Sequence, residues 1–150
     1  MKFFPDSDSY FAEIRMLVPG YELIHALAQD SLRALAGPCG RLLVVGCGPG
    51  LELLSLAAAL PGWSIDAIDP SEEMVLAAQR RIDGAGLSER VTVRQALLQH
   101  DTAAGYDAAV CLLVAHLQPD DGTRAAFWQA LAGSLRPNAP LFLAELDAID

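Results

Sequence analysis

Apolar residues recur along the first third of the chain at helical spacing and then form a short continuous run. In residues 21–36 leucine and isoleucine recur at helical spacing, and Gly37 and Pro38 end the pattern, which predicts an amphipathic helix. Residues 41–45 are mostly leucine and valine, which predicts a buried strand. A glycine cluster and another apolar helical stretch follow directly, so the predicted order is helix, strand, tight turn and helix.

The alternation of strands and helices continues to the carboxyl end. We predict a strand over residues 64–68, a helix from Ser71 to about Asp83, strands over 91–93 and 107–113, a helix from 119–121 to about Leu135, and a strand over 141–145. Ser71 and the two glutamates after it supply a capping hydroxyl and negative charge to the positive end of their helix.

Strands that alternate with helices require crossover connections and a mainly parallel sheet. We therefore predict an α/β, Rossmann-like fold, which is a doubly wound sheet of about five strands with helices on both faces. The 150 residues suit a single domain over 1–150, because the chain is long enough to bury one core and short for two.

Residues 1–20 stand apart from this alternation. They carry Phe3, Phe4, Tyr10 and Phe11 among acidic residues and show no long periodic run. Two interpretations stay open. The segment is either a cap that closes over the carboxyl edge of the sheet or an amino-terminal arm that is packed or frayed.

Net charge, cysteine spacing and the lack of long apolar runs argue against several kinds of partner and site. The formal net charge is −9 and the sequence shows no basic patch, so we expect no nucleic-acid partner. The three cysteines lack CxxC spacing and no histidine stands at ligand spacing from an acid, so neither disulfides nor a metal site is predicted. Without a leader or an apolar run of membrane length, we expect a cytoplasmic protein with no membrane partner.

The glycine cluster at residues 46–50 is the first candidate binding site. Glycines remove the Cβ atoms that would hold a ligand off the backbone, and the following helix presents free amide groups. A dinucleotide site requires glycine at position 51, where the chain has Leu51, and the Lys-Ser/Thr of a phosphate-binding loop is absent. The spacing therefore favours a ligand without pyrophosphate, in which an amino-acid portion is joined to a nucleoside.

Asp69, which follows the second predicted strand, is the second candidate. A carboxylate at this strand end is placed to accept charge-assisted hydrogen bonds from both hydroxyls of a ribose. Taken alone, it suits a turn or helix-capping role equally well. The neighbouring glycine turn favours the ribose role.

These stretches together resemble a known family. LLVVGCGPGLELLSLAA, followed by IDAIDPSEEMVLAAQRRI, resembles the first two motifs of class I S-adenosylmethionine-dependent methyltransferases, and the resemblance covers about residues 21–145. The upstream VPGYE, residues 18–22, is similar to a segment of carboxy-S-adenosylmethionine synthase and its relatives. The resemblance implies an S-adenosylmethionine-binding domain that transfers a methyl group by in-line displacement.

The resemblance also implies a role for each site residue. In that alignment Tyr21 reaches the carboxylate of the cofactor, and the remaining residues line its methionine portion (Gly46, Cys47, Gly48, Gly50), its ribose (Asp69), its adenine (Pro70, Met74, Ala96, Leu97) and its sulfonium centre (Cys111). Met74 has a second interpretation as a core residue in the first turn of its helix.

The sequence departs from the family pattern at two acids. Val44 stands where the family usually has an acid before the turn, and Leu97 stands where an acid commonly accepts from the adenine amino group. Each lost acceptor costs about 1–3 kcal/mol when its donor stays buried and unpaired, so we expect weak cofactor binding. Asp101 either replaces the second acid or faces solvent.

The sequence is least informative about the methyl acceptor. The fourth strand ends in CLLV without an Asn-Pro-Pro-Tyr type sequence, so methylation of DNA bases is not indicated. His116 is either a general base or a packed residue with a backbone partner. We expect a small-molecule acceptor. The alternative is a degenerate methyltransferase that acts as a cofactor-binding or partner-binding module, whereas Leu51 disfavours a nicotinamide oxidoreductase.

The family usually continues past the fifth strand with a helix and a two-strand hairpin, whereas this sequence ends at Asp150. The apolar residues Leu141, Phe142 and Leu143 would then leave uncovered area on both faces of an edge strand. We expect either a homo-dimer that pairs through this region or a fragment of a longer enzyme.

Overall fold

Five parallel strands form one sheet in the computed structural model, which describes residues 7–99 and 102–146. The strand order is β3-β2-β1-β4-β5, and the strands are β1 (Gly40–Val45), β2 (Trp63–Asp69), β3 (Val91–Gln95), β4 (Ala108–Leu112) and β5 (Leu141–Ala144). Every neighbouring pair is parallel. The prediction of a doubly wound, mainly parallel α/β sheet is confirmed.

Helices cover both faces of this sheet. They are α1 (Ser7–Leu17), α2 (Tyr21–Leu35), α3 (Leu51–Ala59), α4 (Glu72–Gly84) and α5 (Thr123–Ser134), with a short 3-10 helix at Ala115–Leu117. Alternate residues of β1 divide between two cores: Leu42 and Val44 pack with residues of α2, α3 and α4, whereas Leu43 and Val45 pack with residues of α5. Burial on both faces explains why β1 is continuously apolar.

Local signals in the sequence set where the helices begin. The Ser71 hydroxyl accepts a hydrogen bond from the Met74 amide at 3.4 Å and so caps α4, as the sequence predicts. Gly20 and Gly50 adopt left-handed conformations, both with φ of 83°, immediately before α2 and α3. Glycine tolerates this conformation without the clash that a Cβ introduces, so both positions turn the chain sharply into a helix.

Helix α1 is the main difference from the predicted elements. Its buried residue Ile14 packs with Val18 and Tyr21 in a small separate cluster. Few residues of α1 are buried, so the segment shows little apolar periodicity in the sequence. Contacts with α2 and α4 hold the helix in place. The expectations for Phe3, Phe4, Asp101 and the side chain of Phe11 lie outside the described residues.

Strand β5 is the edge of the sheet in the described part of the chain. It pairs with β4, while Leu141 and Leu143 are 37% and 45% exposed. Phe142 points to the opposite face and packs against the larger core. None of the described helices is long and apolar enough to cross a membrane.

Candidate active site

The turn that connects β1 to α3 lies at the carboxyl edge of the sheet. The amides of Gly46 and Cys47 both donate to the carbonyl oxygen of Ile68, at 2.8 and 3.1 Å, and so attach the turn to β2. Gly46 and Gly50 have φ values of 72° and 83°. A Cβ on Gly46 would lie 2.3 Å from Val114 Cγ2, and one on Gly50 would lie 2.7 Å from Ala78 Cβ. Packing therefore requires glycine at both positions.

Gly48 differs from the other two glycines in its surroundings. Its φ is also positive, at 51°, but a Cβ there would meet only the Tyr10 ring, at 3.9 Å. The Gly48 amide donates to Asp69 Oδ2 at 2.9 Å. Gly48 is thus the glycine of the turn that leaves room for a ligand beside the backbone, and it lies directly against Asp69.

Asp69 links three segments of the carboxyl edge. Its second carboxylate oxygen accepts from the Ser71 amide at 2.9 Å, and its carbonyl oxygen accepts from the Ala96 amide at 3.1 Å. The side chain is buried, and this burial raises its pKa while the two amides oppose the shift. Each oxygen retains a second lone pair. The structure thus shows the turn-forming role of Asp69 and leaves acceptor capacity for a further donor.

The residues predicted beside the adenine lie around Asp69. Pro70 is exposed, Met74 is half-buried in the first turn of α4, and Ala96 directly follows β3. The side chain of Gln95 donates to the Pro70 carbonyl oxygen at 3.1 Å, which joins the ends of β2 and β3. Leu97 is 59% exposed. The structure therefore brings these predicted residues to one edge, where Pro70 and Leu97 are open to solvent.

Two tyrosines lie at the amino-terminal side of the turn. Tyr10 of α1 and Tyr21 of α2 form a side-chain hydrogen bond, and the Tyr21 ring lies 4.4 Å from the His25 ring between centroids. Burial is the largest cause that raises the pKa of Tyr10 to about 12, and burial also raises that of Tyr21, so both hydroxyls stay protonated as donors at neutral pH. Tyr10 lies near Gly48, with its ring 3.9 Å from the position of a Cβ there. Whether residues 1–20 act as a cap stays a prediction.

The segment after β4 brings a histidine against an acid that directly follows β5, 29 residues further along the chain. His116 Nδ1 lies 3.2 Å from Glu145 Oε2, and the Glu145 carboxylate also accepts from the backbone amides of Ala115 and His116. Cys111 at the end of β4 is fully buried, and burial is the largest cause that raises its pKa to about 12. The adjoining Leu113 has a left-handed φ of 61°, which redirects the chain after β4.

A second acid and histidine meet between α2 and α3. His25 Nδ1 lies 3.8 Å from Glu52 Oε2, and both side chains are largely buried. Glu52 belongs to no motif in the sequence, and the one signal that marks it is an acid within the apolar stretch LELLSLAAAL. Among the described residues, no group of histidine, cysteine and acidic side chains is suited to a metal ion.

Fold and site together define an α/β domain with a nucleoside-type cofactor site at the carboxyl edge of its sheet. Residues 43–141 match the family model described as a methyltransferase domain, and the chain belongs to that family. The predicted likeness to class I S-adenosylmethionine-dependent methyltransferases is confirmed.

Curated relatives and solved structures agree with this family. The chain is 37% identical over 73 residues to a release factor glutamine methyltransferase from Gloeobacter violaceus, which covers 49% of this chain and 25% of the relative. It is 36% identical over 105 residues to a ribosomal protein uL3 glutamine methyltransferase from Bordetella pertussis, covering 68% of this chain and 35% of the relative. The chain thus spans about a third or less of these relatives.

The fold itself matches a solved structure over most of the chain. A putative S-adenosylmethionine-dependent methyltransferase from Methanococcus maripaludis has a TM-score of 0.73 at 20% identity. The match covers 93% of this chain and 64% of that one.

The expectation of a small-molecule acceptor is wrong. The two curated relatives are named for glutamine methylation of proteins, a release factor and a ribosomal protein. The net charge and the cofactor motifs favoured the small acceptor, but the net charge describes the whole chain and the motifs describe the cofactor site. They carry no information about residues that contact an acceptor.

Proposed function

We propose that this chain binds S-adenosylmethionine across the glycine turn and transfers its methyl group to the side-chain amide of a protein glutamine. The proposal depends most on one observation, the 2.9 Å hydrogen bond from the Gly48 amide to Asp69. It joins the open position of the turn to the acid at the end of β2. A ligand that contains both an amino-acid portion and a ribose requires the open glycine and the acid to lie side by side.

The chain's own residues fit each part of such a cofactor. Gly48 has no side chain to block the methionine portion, and Asp69 keeps lone pairs for ribose hydroxyls. Pro70, Met74, Ala96 and Leu97 would flank the adenine. Cys111 would lie below the sulfonium centre, whereas the buried Val44 offers no polar atom to a ligand. When bound, the cofactor supplies a methyl group on a positively charged sulfur.

His116 is the candidate general base for the acceptor. Donation from Nδ1–H to Glu145 would fix the ring and leave the Nε2 lone pair for a proton. Once methylated, the amide nitrogen of the acceptor would have to lose a proton. The proton of the amide nitrogen passes to His116 Nε2, so charge and atoms balance.

The class of acceptor is supported by the relatives and by the end of β4. The curated relatives are named for glutamine methylation of proteins. In this chain Leu112 and Leu113 supply apolar contact at the strand end, while His116 and Glu145 supply polar atoms beside them. Such a mixture suits the aliphatic stem and amide of glutamine. The cytoplasmic location stays a prediction.

Binding and transfer test the proposal separately. Calorimetry with S-adenosylhomocysteine should give a saturable isotherm with one site. With tritiated S-adenosylmethionine, label should enter a bacterial release factor and not a variant in which its methylated glutamine is replaced by alanine. Binding without label transfer to any protein would favour a cofactor-binding module, and absence of binding would contradict the proposal altogether.

Replacing Asp69 should weaken cofactor binding. In Asp69→Ala we expect a loss of about 1.5–3 kcal/mol in the binding free energy of S-adenosylhomocysteine, the range for hydrogen bonds to a charged group. Because the variant also leaves the Gly48 and Ser71 amides without their acceptor, its unfolding must be measured in parallel.

Asp69→Asn is the matched control for this prediction. The amide side chain keeps one oxygen to accept a backbone hydrogen bond and loses the charge, so the fold should be better preserved while binding still weakens. A folded Asp69→Ala protein with the wild-type dissociation constant would disprove the ribose role.

A further inference from the structure

The chain leaves β4 through a backbone conformation that is unusual for a leucine. Leu113, directly after β4, has a left-handed φ of 61°. The one other described residue that has a positive φ without being glycine is Asn138, and asparagine tolerates this region better than leucine does. A left-handed leucine costs free energy, and such conformations persist where the surrounding structure enforces them. The contacts of Leu113 therefore hold it in this conformation.

Two contacts fix Leu113. Its half-buried side chain packs against the amino-terminal cluster, which consists of Ile14, Val18 and Tyr21. Its amide donates to the carbonyl oxygen of Ala144, the last residue of β5, at 2.7 Å. Leu113 is thus a link between helices α1 and α2 on one side and the ends of β4 and β5 on the other.

The residues after Leu113 contact different parts of the candidate site. Val114 packs into the core on the α5 side of the sheet, and its Cγ2 would lie 2.3 Å from a Cβ on Gly46. The two amides that follow donate to the Glu145 carboxylate. Residues 113–116 therefore reach the amino-terminal cluster, the glycine turn and Glu145 in succession, and the left-handed turn at Leu113 sets the direction of the residues that follow it.

We propose that Leu113 is a positioning residue for methyl transfer. Its contact with the amino-terminal cluster holds the left-handed turn, and the turn places the 3-10 helix so that His116 lies against Glu145. Helix α1 thus acts on the transfer step through Leu113. The inference rests on the proposed role of His116 as the base, and it concerns the rate of transfer rather than cofactor binding.

Leu113→Gly separates positioning from simple relief of strain. Glycine adopts a positive φ readily, so this variant relaxes the backbone and removes the side chain that contacts the amino-terminal cluster. Single-turnover methyl transfer should slow roughly 10-fold, because a small displacement of a reacting group is costly. The affinity for S-adenosylhomocysteine should stay close to the wild-type value. Leu113→Met keeps an apolar side chain of similar volume and should retain most of the wild-type rate.

Hydrogen exchange tests the link to α1 without any methyl transfer. In Ile14→Ala, which truncates the cluster from the α1 side, the amides of Ala115 and His116 should exchange on the order of 10-fold faster. Met16→Ala is the matched control on the same helix, because Met16 is 75% exposed, and it should leave their exchange unchanged. Ile82→Val destabilises the larger core instead and should not reproduce the effect.

The double variant Ile14→Ala/Leu113→Gly completes a cycle. If Ile14 acts through Leu113, Ile14→Ala should slow transfer in the wild-type background and have little further effect in the Leu113→Gly background. Wild-type rates in Leu113→Gly, or wild-type exchange of the Ala115 and His116 amides in Ile14→Ala, would overturn the positioning role and leave the proposed function standing. A wild-type protein that transfers no methyl group to any protein would instead contradict the proposed function, and the role in transfer with it.

Discussion

Gly50→Ala should lower the free energy of unfolding by about 2–5 kcal/mol. The added Cβ would lie 2.7 Å from Ala78 Cβ and 2.9 Å from Ala78 Cα, so the clash involves the backbone of α4 and cannot be relieved by a side-chain rotation. Overpacking of this kind costs about 1–3 kcal/mol. The left-handed φ of 83° adds about 1–2 kcal/mol for a residue with a Cβ.

Gly48→Ala is the matched control, because it shares the positive φ without the close contact. A Cβ there meets only Tyr10 at 3.9 Å, so only the conformational cost of about 1–2 kcal/mol should appear. Chemical denaturation of both variants measures the difference. Equal stability of the two proteins would show that α4 moves away from the turn at little cost and that Gly50 is not a packing requirement.

Gly46→Ala offers a third comparison within the same turn. Its Cβ would lie 2.3 Å from Val114 Cγ2, the end of a side chain that a second substitution can remove. Val114→Ala should therefore restore part of the stability lost in Gly46→Ala, whereas Ala78→Gly should restore less in Gly50→Ala because the Ala78 backbone remains. The turn is thus held from two sides, by α4 and by the segment after β4.

Elements with strong local patterns were predictable from the sequence. Strand β1 is buried on both faces, so its residues form a continuous apolar run, and Ser71 caps α4 with its own side chain. Helix α1 was not predicted because Ile14 and Val18 alone do not make a helical pattern, and contacts with α2 stabilise it. A helix or strand can be predicted from sequence only where its buried positions show as a regular apolar pattern along that element.

The same distinction applies to the candidate site. The glycine turn and Asp69 carry a spacing that the sequence displays, and the structure joins them through the Gly48 amide. Glu52 and His25 come from two helices, and Glu145 lies 29 residues beyond His116. Such pairs depend on which helices or strands become neighbours in the fold. The sequence therefore indicated His116 as a candidate base but could not indicate Glu145 as its partner. The acceptor was predicted wrongly because no local motif describes it.

His116→Gln should slow methyl transfer on the order of 100-fold, the lower part of the range for a general base. The substitution removes the Nε2 acceptor and keeps a side chain that can donate to Glu145. The affinity for S-adenosylhomocysteine should stay at the wild-type value, because His116 forms its side-chain hydrogen bond with Glu145, which lies after β5, rather than with Asp69 or the glycine turn. Single-turnover rates with saturating release factor, together with calorimetry, separate the two quantities.

Two further variants show whether the effect belongs to the histidine and its acid. Leu117→Ala alters an exposed neighbour in the same 3-10 helix and should leave the rate within about twofold, as for a surface side chain outside the reaction. Glu145→Gln should reduce the rate less than His116→Gln, because the His116 ring remains and the one amide oxygen of the glutamine can still accept one of the two backbone hydrogen bonds. If His116→Gln transfers methyl groups as fast as wild type, Glu145 serves only to hold the segment after β4, and the base must be sought elsewhere.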